Sequence, residues 1–122
     1  MAQNNLGNAL SIIQHPIIDP QIEAYRKRDI ETFASFYATE VKAFRNGEPF
    51  LSGIEDLKVK YKELFELSPA LAIEISERRI EEPYIYDTEL ITGLRGNSQQ
   101  IVVRVRYKIA DAKIIEVLMT RD

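Results

Sequence analysis

The sequence QIEAYRKRDIETFASFY (residues 21–37), followed closely by VKAFR (residues 41–45), decides the fold of this 122-residue chain. In the first segment apolar residues recur at helical spacing on both sides of Asp29, whose short side chain is a preferred helix N-cap. In the second segment the period falls to two, with Val41 and Ala43 on one face. The stretch therefore predicts two short helices that lead directly into the first strand of a sheet.

Three further helix boundaries have clear signals. Asp19 is followed by Pro20, and this pair is typical of an N-cap with proline at the first helical position. Ser52, with Glu55 three residues later, has the pattern of a capping box that begins a third helix. Pro69, which cannot continue a helix, marks the end of that helix. We therefore predict three helices, with a short hairpin between the second and the third.

Turn signals and alternating apolar residues predict the sheet. Asn46-Gly47 is a strong signal for a two-residue hairpin turn, and Phe50-Leu51 would lie on its return strand. Beyond the third helix, apolar residues alternate in four segments, 71–75, 84–94, 101–109 and 115–119. Helices followed by a run of strands predict an α+β domain with its helices on one face of a mostly antiparallel sheet.

Charge and composition exclude several classes of site. The chain has 19 acidic and 16 basic residues, so we expect no nucleic-acid partner, which would need clustered positive charge. It has no cysteine and one histidine, His15, so it can form neither a disulfide nor a zinc site of the usual ligands. We expect no metal and no cofactor.

Length and hydropathy predict one domain in the cytoplasm. No apolar run approaches the roughly 20 residues that a membrane helix needs, so no membrane partner is expected. The N-terminus lacks the basic segment of a secretory signal, which leaves a cytoplasmic location as the expectation. Residues 1–18 are predicted to form an N-terminal arm or short helix, and residues 19–122 a single domain.

The order of these elements resembles the NTF2-like superfamily, and within it the SnoaL-like proteins and the relatives of ketosteroid isomerase. The resemblance implies a cone of three helices packed on a curved, mostly antiparallel sheet that encloses a pocket. It also implies a homodimer formed through the convex face of the sheet. The segments that carry the resemblance are QIEAYRKRDIETFASFYATEV (21–41), the helix led by Gly53 and ending in LFELSP (64–69), YIYDTELITG (84–93) and YKIADAKIIEVLMTR (107–121).

The catalytic positions of the ketosteroid isomerases fall on residues of other types in this chain. The position of their general base falls on Arg45, that of the first-helix tyrosine near Gln21, and that of the protonated aspartate near Val105. One supporting tyrosine matches, as Tyr61 eight residues after Gly53. The resemblance therefore implies that the usual base and oxyanion donors are absent, and it leaves open whether the chain is an enzyme.

Arg45 is the position of greatest chemical interest. Alternation places it on the face of Val41 and Ala43, so its guanidinium could point toward the mouth of a pocket and bind a ligand carboxylate or enolate. The alternative is that Arg45 ends the strand and reaches solvent. The tyrosines on the predicted inner faces either donate hydrogen bonds to a ligand or fill the core. The residues predicted to line the pocket are Tyr25, Arg45, Tyr61, Phe65, Val105, Tyr107, Val117 and Met119.

Charged residues alternate on two of the predicted strands. Asp87 and Glu89 share one face, as a carboxylate pair for acid–base chemistry would, but we favour a solvated or intersubunit surface for them. The basic row Arg104, Arg106 and Lys108 is predicted to lie on the outer face of the sheet, where carboxylates such as that of Glu116 neutralise it.

The mainly apolar lining with a few polar points predicts a protein that binds a small hydrophobic or aromatic molecule. Such a protein would belong to the group of steroid isomerases and polyketide cyclases and could act as a proton-transfer isomerase or cyclase without the usual aspartate base. The alternative is a non-catalytic dimeric carrier or interaction module. A pocket of several hundred Å³ that reaches Arg45 would favour ligand binding, and a pocket plugged by side chains would favour assembly.

Overall fold

The computed structural model describes residues 12–122, which form three helices and six strands. The α+β class and the predicted order of the elements are confirmed, although the first strand begins earlier than the alternation from Val41 indicates. In chain order the elements are α1 (Ile18–Arg26), α2 (Ile30–Ala34), β1 (Tyr37–Arg45), β2 (Glu48–Ser52), α3 (Ile54–Glu66), β3 (Ala72–Glu81), β4 (Tyr84–Thr92), β5 (Ile101–Ala110) and β6 (Lys113–Arg121).

The six strands form one open sheet in the order β2-β1-β6-β5-β4-β3. Every neighbouring pair is antiparallel except β1 and β6, which run parallel, so the predicted mostly antiparallel sheet is confirmed. Register shifts interrupt the pairing in several places, and such bulges increase the local twist and bend a sheet. The helices pack on one face of this curved sheet, with α3 against β1 and β2 and α1 against β3.

Helix α1 begins at Ile18, and its N-cap is Ile17, so the prediction that Asp19 is the N-cap was wrong. The ring of His15 takes that role, because its Nδ1 accepts hydrogen bonds from the backbone N–H groups of Ile17 and Ile18 at 3.1 and 3.2 Å. The Asp19 carboxylate instead accepts a hydrogen bond from the His15 backbone N–H at 2.9 Å. His15 is therefore a buried structural residue at the entry to the domain.

The predicted N-cap of α2 is confirmed, and the predicted N-cap of α3 is wrong. Asp29 is the N-cap of α2 as predicted, and its carboxylate accepts a hydrogen bond from the Thr32 N–H at 3.2 Å. The capping box at Ser52 was a wrong prediction, because Ser52 belongs to β2 and Gly53 is the N-cap of α3. The Asp56 carboxylate stabilises this junction by accepting a hydrogen bond from the Ser52 N–H at 3.0 Å.

The hairpin between β1 and β2 turns at Asn46 and Gly47, as predicted. Both residues have positive φ angles, 51° and 83°, which two-residue turns of the type I′ class require. The Asn46 side chain also fixes the end of β6, because its Oδ1 accepts a hydrogen bond from the Arg121 N–H at 3.0 Å. The turn therefore brings the ends of β1 and β6 to the same edge of the helix-covered face.

The core lies between the helices and the inner face of the sheet. Its centre is an aromatic cluster in which the ring of Phe33 is 4.8 Å from that of Tyr61 and 5.0 Å from that of Tyr37. Tyr25 and Phe65 complete the cluster, with ring centroids 5.5 Å apart. These rings cover the inner face of the sheet at one end and leave a cavity beside them.

Two bulges change which residues face this core. The shift between Ile75 and Glu77 on β3 turns Arg78 inward, opposite Asp87 of β4. A second shift, opposite Lys108 and Ile109 of β5, buries Ile114 of β6 completely. The predicted alternation over residues 115–119 therefore holds for its last residues, while Ile114 rather than Ile115 starts the buried face. None of the helices in residues 12–122 has both the length and the apolarity that a membrane crossing requires.

Candidate functional site

A cavity of about 110 Å³ lies between the aromatic cluster and the inner face of the sheet. Its volume is below the several hundred Å³ typical of drug-sized ligand pockets, and it is closer to the roughly 150 Å³ that accommodates a benzene ring. Phe65 is the one predicted lining residue that stands outside it, packed behind Tyr25. The predicted residues that the structure places on the cavity wall are Tyr25, Arg45, Tyr61, Val105, Tyr107, Val117 and Met119.

Strand β4 contributes a carboxylate that the sequence reasoning placed on the surface. Ile85, Asp87, Glu89 and Ile91 all point inward and are at most 8% exposed, so the predicted solvated or intersubunit surface was wrong. The two carboxylates are tolerated inside because each has a specific partner. Their alternation with buried isoleucines on the same strand face is the sequence signal that could have identified them.

Glu89 lies on the cavity wall beside Tyr107 of the neighbouring strand. The Tyr107 hydroxyl donates a hydrogen bond to Glu89 Oε2 at 3.0 Å. Burial raises the pKa of Glu89 to about 7, and the nearby Asp87 charge raises it further, while Tyr107 and Arg78 act in the opposite direction. A carboxyl with such a pKa both takes up and releases protons readily at neutral pH.

Asp87 is paired with Arg78 in a fully buried ion pair. The Arg78 Nε and Nη2 donate to the two oxygens of Asp87 at 2.7 and 2.8 Å, and both side chains are 0% exposed. Arg78 Nη1 also donates to Asp19 of α1 at 2.6 Å and to the Ile13 carbonyl at 3.0 Å. The network ties the start of α1 to β3 and β4 and separates the charge of Asp87 from the cavity.

Four tyrosines surround the cavity, and their hydroxyls have different partners. Tyr37 donates to the Gln21 side-chain oxygen at 2.8 Å, and Tyr107 donates to Glu89. The side chains of Tyr25 and Tyr61 also lie on the cavity wall, and within residues 12–122 no hydrogen bond joins either hydroxyl to another group. Burial raises the pKa of both phenols, so they remain protonated hydrogen-bond donors at neutral pH.

Two arginines mark the mouth of the cavity. The Arg45 guanidinium lies 4.2 Å from the centroid of the Phe50 ring, in cation–π contact. Arg45 is exposed at the end of β1 and also lines the cavity, so it combines the two arrangements that the sequence left open. Arg121, which the sequence reasoning did not identify, lines the same mouth from the end of β6.

The positions that correspond to the ketosteroid isomerase machinery hold no carboxylate. Arg45 stands at the mouth, Gln21 is buried and bonded to Tyr37, and Val105 contributes an apolar part of the wall. The carboxylate of this cavity is that of Glu89, on a different strand from the expected base. Residues 12–122 contain no group of three or more potential metal-binding side chains.

Solved structures from several bacteria share this fold. An uncharacterised cystatin-fold protein from Novosphingobium aromaticivorans is 21% identical, with a TM-score of 0.76 over 84% of this chain and 93% of its own. A candidate polyketide cyclase from Sinorhizobium meliloti is 12% identical, with a TM-score of 0.76 over 87% and 94%. A candidate ketosteroid isomerase from Kribbella flavida is 16% identical, with a TM-score of 0.74 over 87% and 75%.

The sequence comparisons identify the family. No curated protein sequence matches the chain. The SnoaL-like domain matches residues 20–117, which is most of the chain: the match begins two residues into α1, includes α2 and α3, and ends within β6. With its α+β cone and its structural relatives of the ketosteroid isomerase and polyketide cyclase type, the chain belongs to the SnoaL-like domain family of the NTF2-like superfamily.

Proposed function

We propose that this protein binds a small apolar or aromatic molecule in the cavity and that Glu89 transfers a proton to or from it. The observation that carries the proposal is a single buried carboxyl on a mainly apolar wall, hydrogen-bonded to Tyr107, with a pKa of about 7. A group whose pKa matches the working pH is an efficient general acid or base.

The cavity volume limits the ligand. About 110 Å³ suits a single ring or a short apolar chain, and a four-ring steroid would require side chains such as Phe50 and Leu64 to move. The rings of Tyr25 and Tyr61 offer flat surfaces for such a ligand. We therefore favour a substrate of about one ring.

The arrangement of polar groups suits the removal of a proton next to a carbonyl. In that step Glu89 takes the proton from carbon, and the electron pair of the broken C–H bond moves to the carbonyl oxygen to form an enolate. The unpaired hydroxyls of Tyr25 and Tyr61 can donate hydrogen bonds to this oxygen. If the enolate is conjugated with a further carbon, return of the proton from Glu89 to that carbon gives an isomerisation. In a cyclisation the enolate carbon bonds to a second carbonyl carbon of the same molecule, whose π electrons move to its oxygen, and the resulting alkoxide takes the proton from Glu89.

The family supports this class of reaction without specifying the substrate. Relatives of the same fold carry the names ketosteroid isomerase and polyketide cyclase, and both names describe chemistry at enolisable carbons. Function in a shared fold depends on the site, and the base proposed here lies on β4 rather than on β1.

Proton exchange on cyclohexanone, an enolisable single-ring ketone, tests the proposal. In deuterium oxide the protein should catalyse deuterium incorporation beside the carbonyl. The Glu89→Gln variant, which keeps the shape of the side chain, should lose about 10²- to 10⁴-fold in rate. Glu74→Gln, at an exposed position on the neighbouring strand, serves as the matched control and should retain the rate. Equal rates in the two variants would reject Glu89 as the proton carrier.

We also propose that the protein forms a homodimer through the outer face of the sheet. Tyr84, Tyr86 and Arg106 are half-buried on this face. The Arg106 guanidinium lies 4.5 Å from the ring of Tyr84, and the guanidinium of the exposed Arg79 lies 4.0 Å from the ring of Tyr86. Arg106 also pairs with Glu116, which lowers the cost of covering its charge. The alternative function, a non-catalytic dimeric carrier or interaction module, rests on this face and on the small cavity volume.

A further inference from the structure

The mouth of the cavity carries two positive charges, those of Arg45 and Arg121, that form no salt bridge with the described part of the chain. Among residues 12–122, no carboxylate forms a salt bridge with Arg45 or Arg121, whereas Arg78 has two such partners and Arg106 has one. Glu48 is the cross-strand neighbour of Arg45 in the hairpin, yet it makes no ion pair with it. The two guanidinium groups are therefore available to an anion outside the protein chain.

The fold holds these two arginines close to each other. Arg45 lies opposite Met119 in the parallel pairing of β1 and β6, and Arg121 is the next residue of β6 on the same face. The Asn46 N–H donates to the Met119 carbonyl at 2.8 Å, and Asn46 Oδ1 accepts from the Arg121 N–H at 3.0 Å. The two side chains leave adjacent strands on the same face at diagonal positions, so their long guanidinium ends can converge on one carboxylate.

Contacts beside the mouth favour this use of Arg45. Its guanidinium is stacked on the Phe50 ring at 4.2 Å, which limits its freedom before a ligand arrives. The positive charge of Arg45 also lowers the pKa of Tyr61, although burial raises that pKa by more. The Tyr61 hydroxyl is therefore close enough to Arg45 to respond to its charge. That hydroxyl can supply a further hydrogen bond to an anion held at the mouth.

The site is therefore polar at its two ends and apolar between them. The arginine pair stands at the open end, Glu89 lies on the wall inside, and the wall between them includes Val103, Val117 and Met119. A molecule with one carboxylate and a single-ring body would place its charge between the arginines and its body against this wall. A carboxylate placed beside Glu89 instead would meet repulsion from a like charge.

We infer that the substrates of this site are small monocarboxylic acids whose carboxylate is bound by Arg45 and Arg121. The inference rests on the ligand-binding function proposed for the cavity and names the chemical class of its ligand. Because both guanidinium groups are exposed, the attraction should weaken as ionic strength rises.

Binding of matched acids and amides tests the inference. Benzoate and cyclohexanecarboxylate are titrated alongside benzamide and cyclohexanecarboxamide, with the cavity followed by amide proton–nitrogen NMR spectra. We expect each acid to bind about tenfold more tightly than its amide, as a charge-assisted hydrogen-bonded pair provides. The double variant R45Q/R121Q should lose this preference and still bind the amides. R104Q, which removes an exposed arginine of the outer face, is the control and should keep the preference.

The outcomes separate this inference from the proposal on which it rests. Amides that bind in the cavity as tightly as the acids, or a preference that survives in R45Q/R121Q, would overturn the inference and leave the ligand-binding proposal standing. If neither acids nor amides shift the resonances of residues 103–107, both are overturned. The spectrum of each variant also reports whether the chain is folded, so a loss of binding cannot be mistaken for a loss of structure.

Discussion

Glu89 is the residue whose environment departs furthest from that of an ordinary carboxyl. Burial raises its pKa from the ordinary 4.5 to about 7, even though Tyr107 stabilises the ionised form by a hydrogen bond. The groups facing Glu89 from its own and neighbouring strands are Asp87, Arg78 and Tyr107. Tyr107 and Arg78 lower the pKa of Glu89 and Asp87 raises it, and the largest effect is desolvation by burial. Because the pKa differs between the folded and unfolded states, the protonation of Glu89 should affect the stability of the fold.

The expected effect is a loss of stability as the pH rises. Because the pKa is higher in the folded state, that state binds more protons between about pH 4.5 and 7, and the free energy of unfolding falls as pH rises through this window. The shift corresponds to about 3 kcal/mol. Glu89→Gln should remove this part of the pH dependence, as measured by urea unfolding at pH 5 and pH 8. An unchanged pH dependence in the variant, with Glu74→Gln as control, would refute a raised pKa for Glu89.

Among the elements, the buried ion pair of Arg78 and Asp87 joins β3 to β4, and the contact of Arg78 with Asp19 joins α1 to these strands. Arg78→Met should destabilise the fold by about 3–5 kcal/mol, since it leaves the Asp87 charge buried without a partner. The double variant R78M/D87L removes both charges and should be more stable than R78M. Arg104→Met, which breaks an exposed pair, should change stability by no more than about 0.5 kcal/mol. Urea unfolding measures all three, and a double variant no more stable than R78M would contradict the desolvation argument.

The same elements account for what the sequence could and could not predict. Helix periodicity, the Asn46-Gly47 turn and alternation identified the order of elements and seven residues of the cavity wall, because these signals depend on neighbouring residues. The bulge beside Ile75 has no comparable local signal, and it decides that Arg78 faces inward. The alternation on β4 does not say which of its two faces is the inner one, and the surface placement favoured for Asp87 and Glu89 left Glu89 out of the predicted lining.

At the scale of the molecule, the proposed homodimer covers the outer face opposite the cavity. Its expected mass in solution is twice the 14.1 kDa of one chain. Tyr86→Glu, which places a charge among the aromatic side chains of that face, should shift the equilibrium toward the monomer. Gln99→Glu, in the exposed loop before β5, adds the same charge elsewhere and should not. Sedimentation equilibrium distinguishes these cases, and a mass of one chain at every concentration would exclude the dimer.

If Glu89 carries protons near neutral pH, the pH dependence of deuterium exchange on cyclohexanone must follow the ionisation of its carboxyl. For the wild-type protein, kcat/KM for deuterium incorporation into cyclohexanone should rise with pH and level off above an apparent pKa of about 7. Glu89→Gln should show neither the rise nor more than a small fraction of the rate. A wild-type rate without this inflection, or a Glu89→Gln variant that keeps it, would contradict the account.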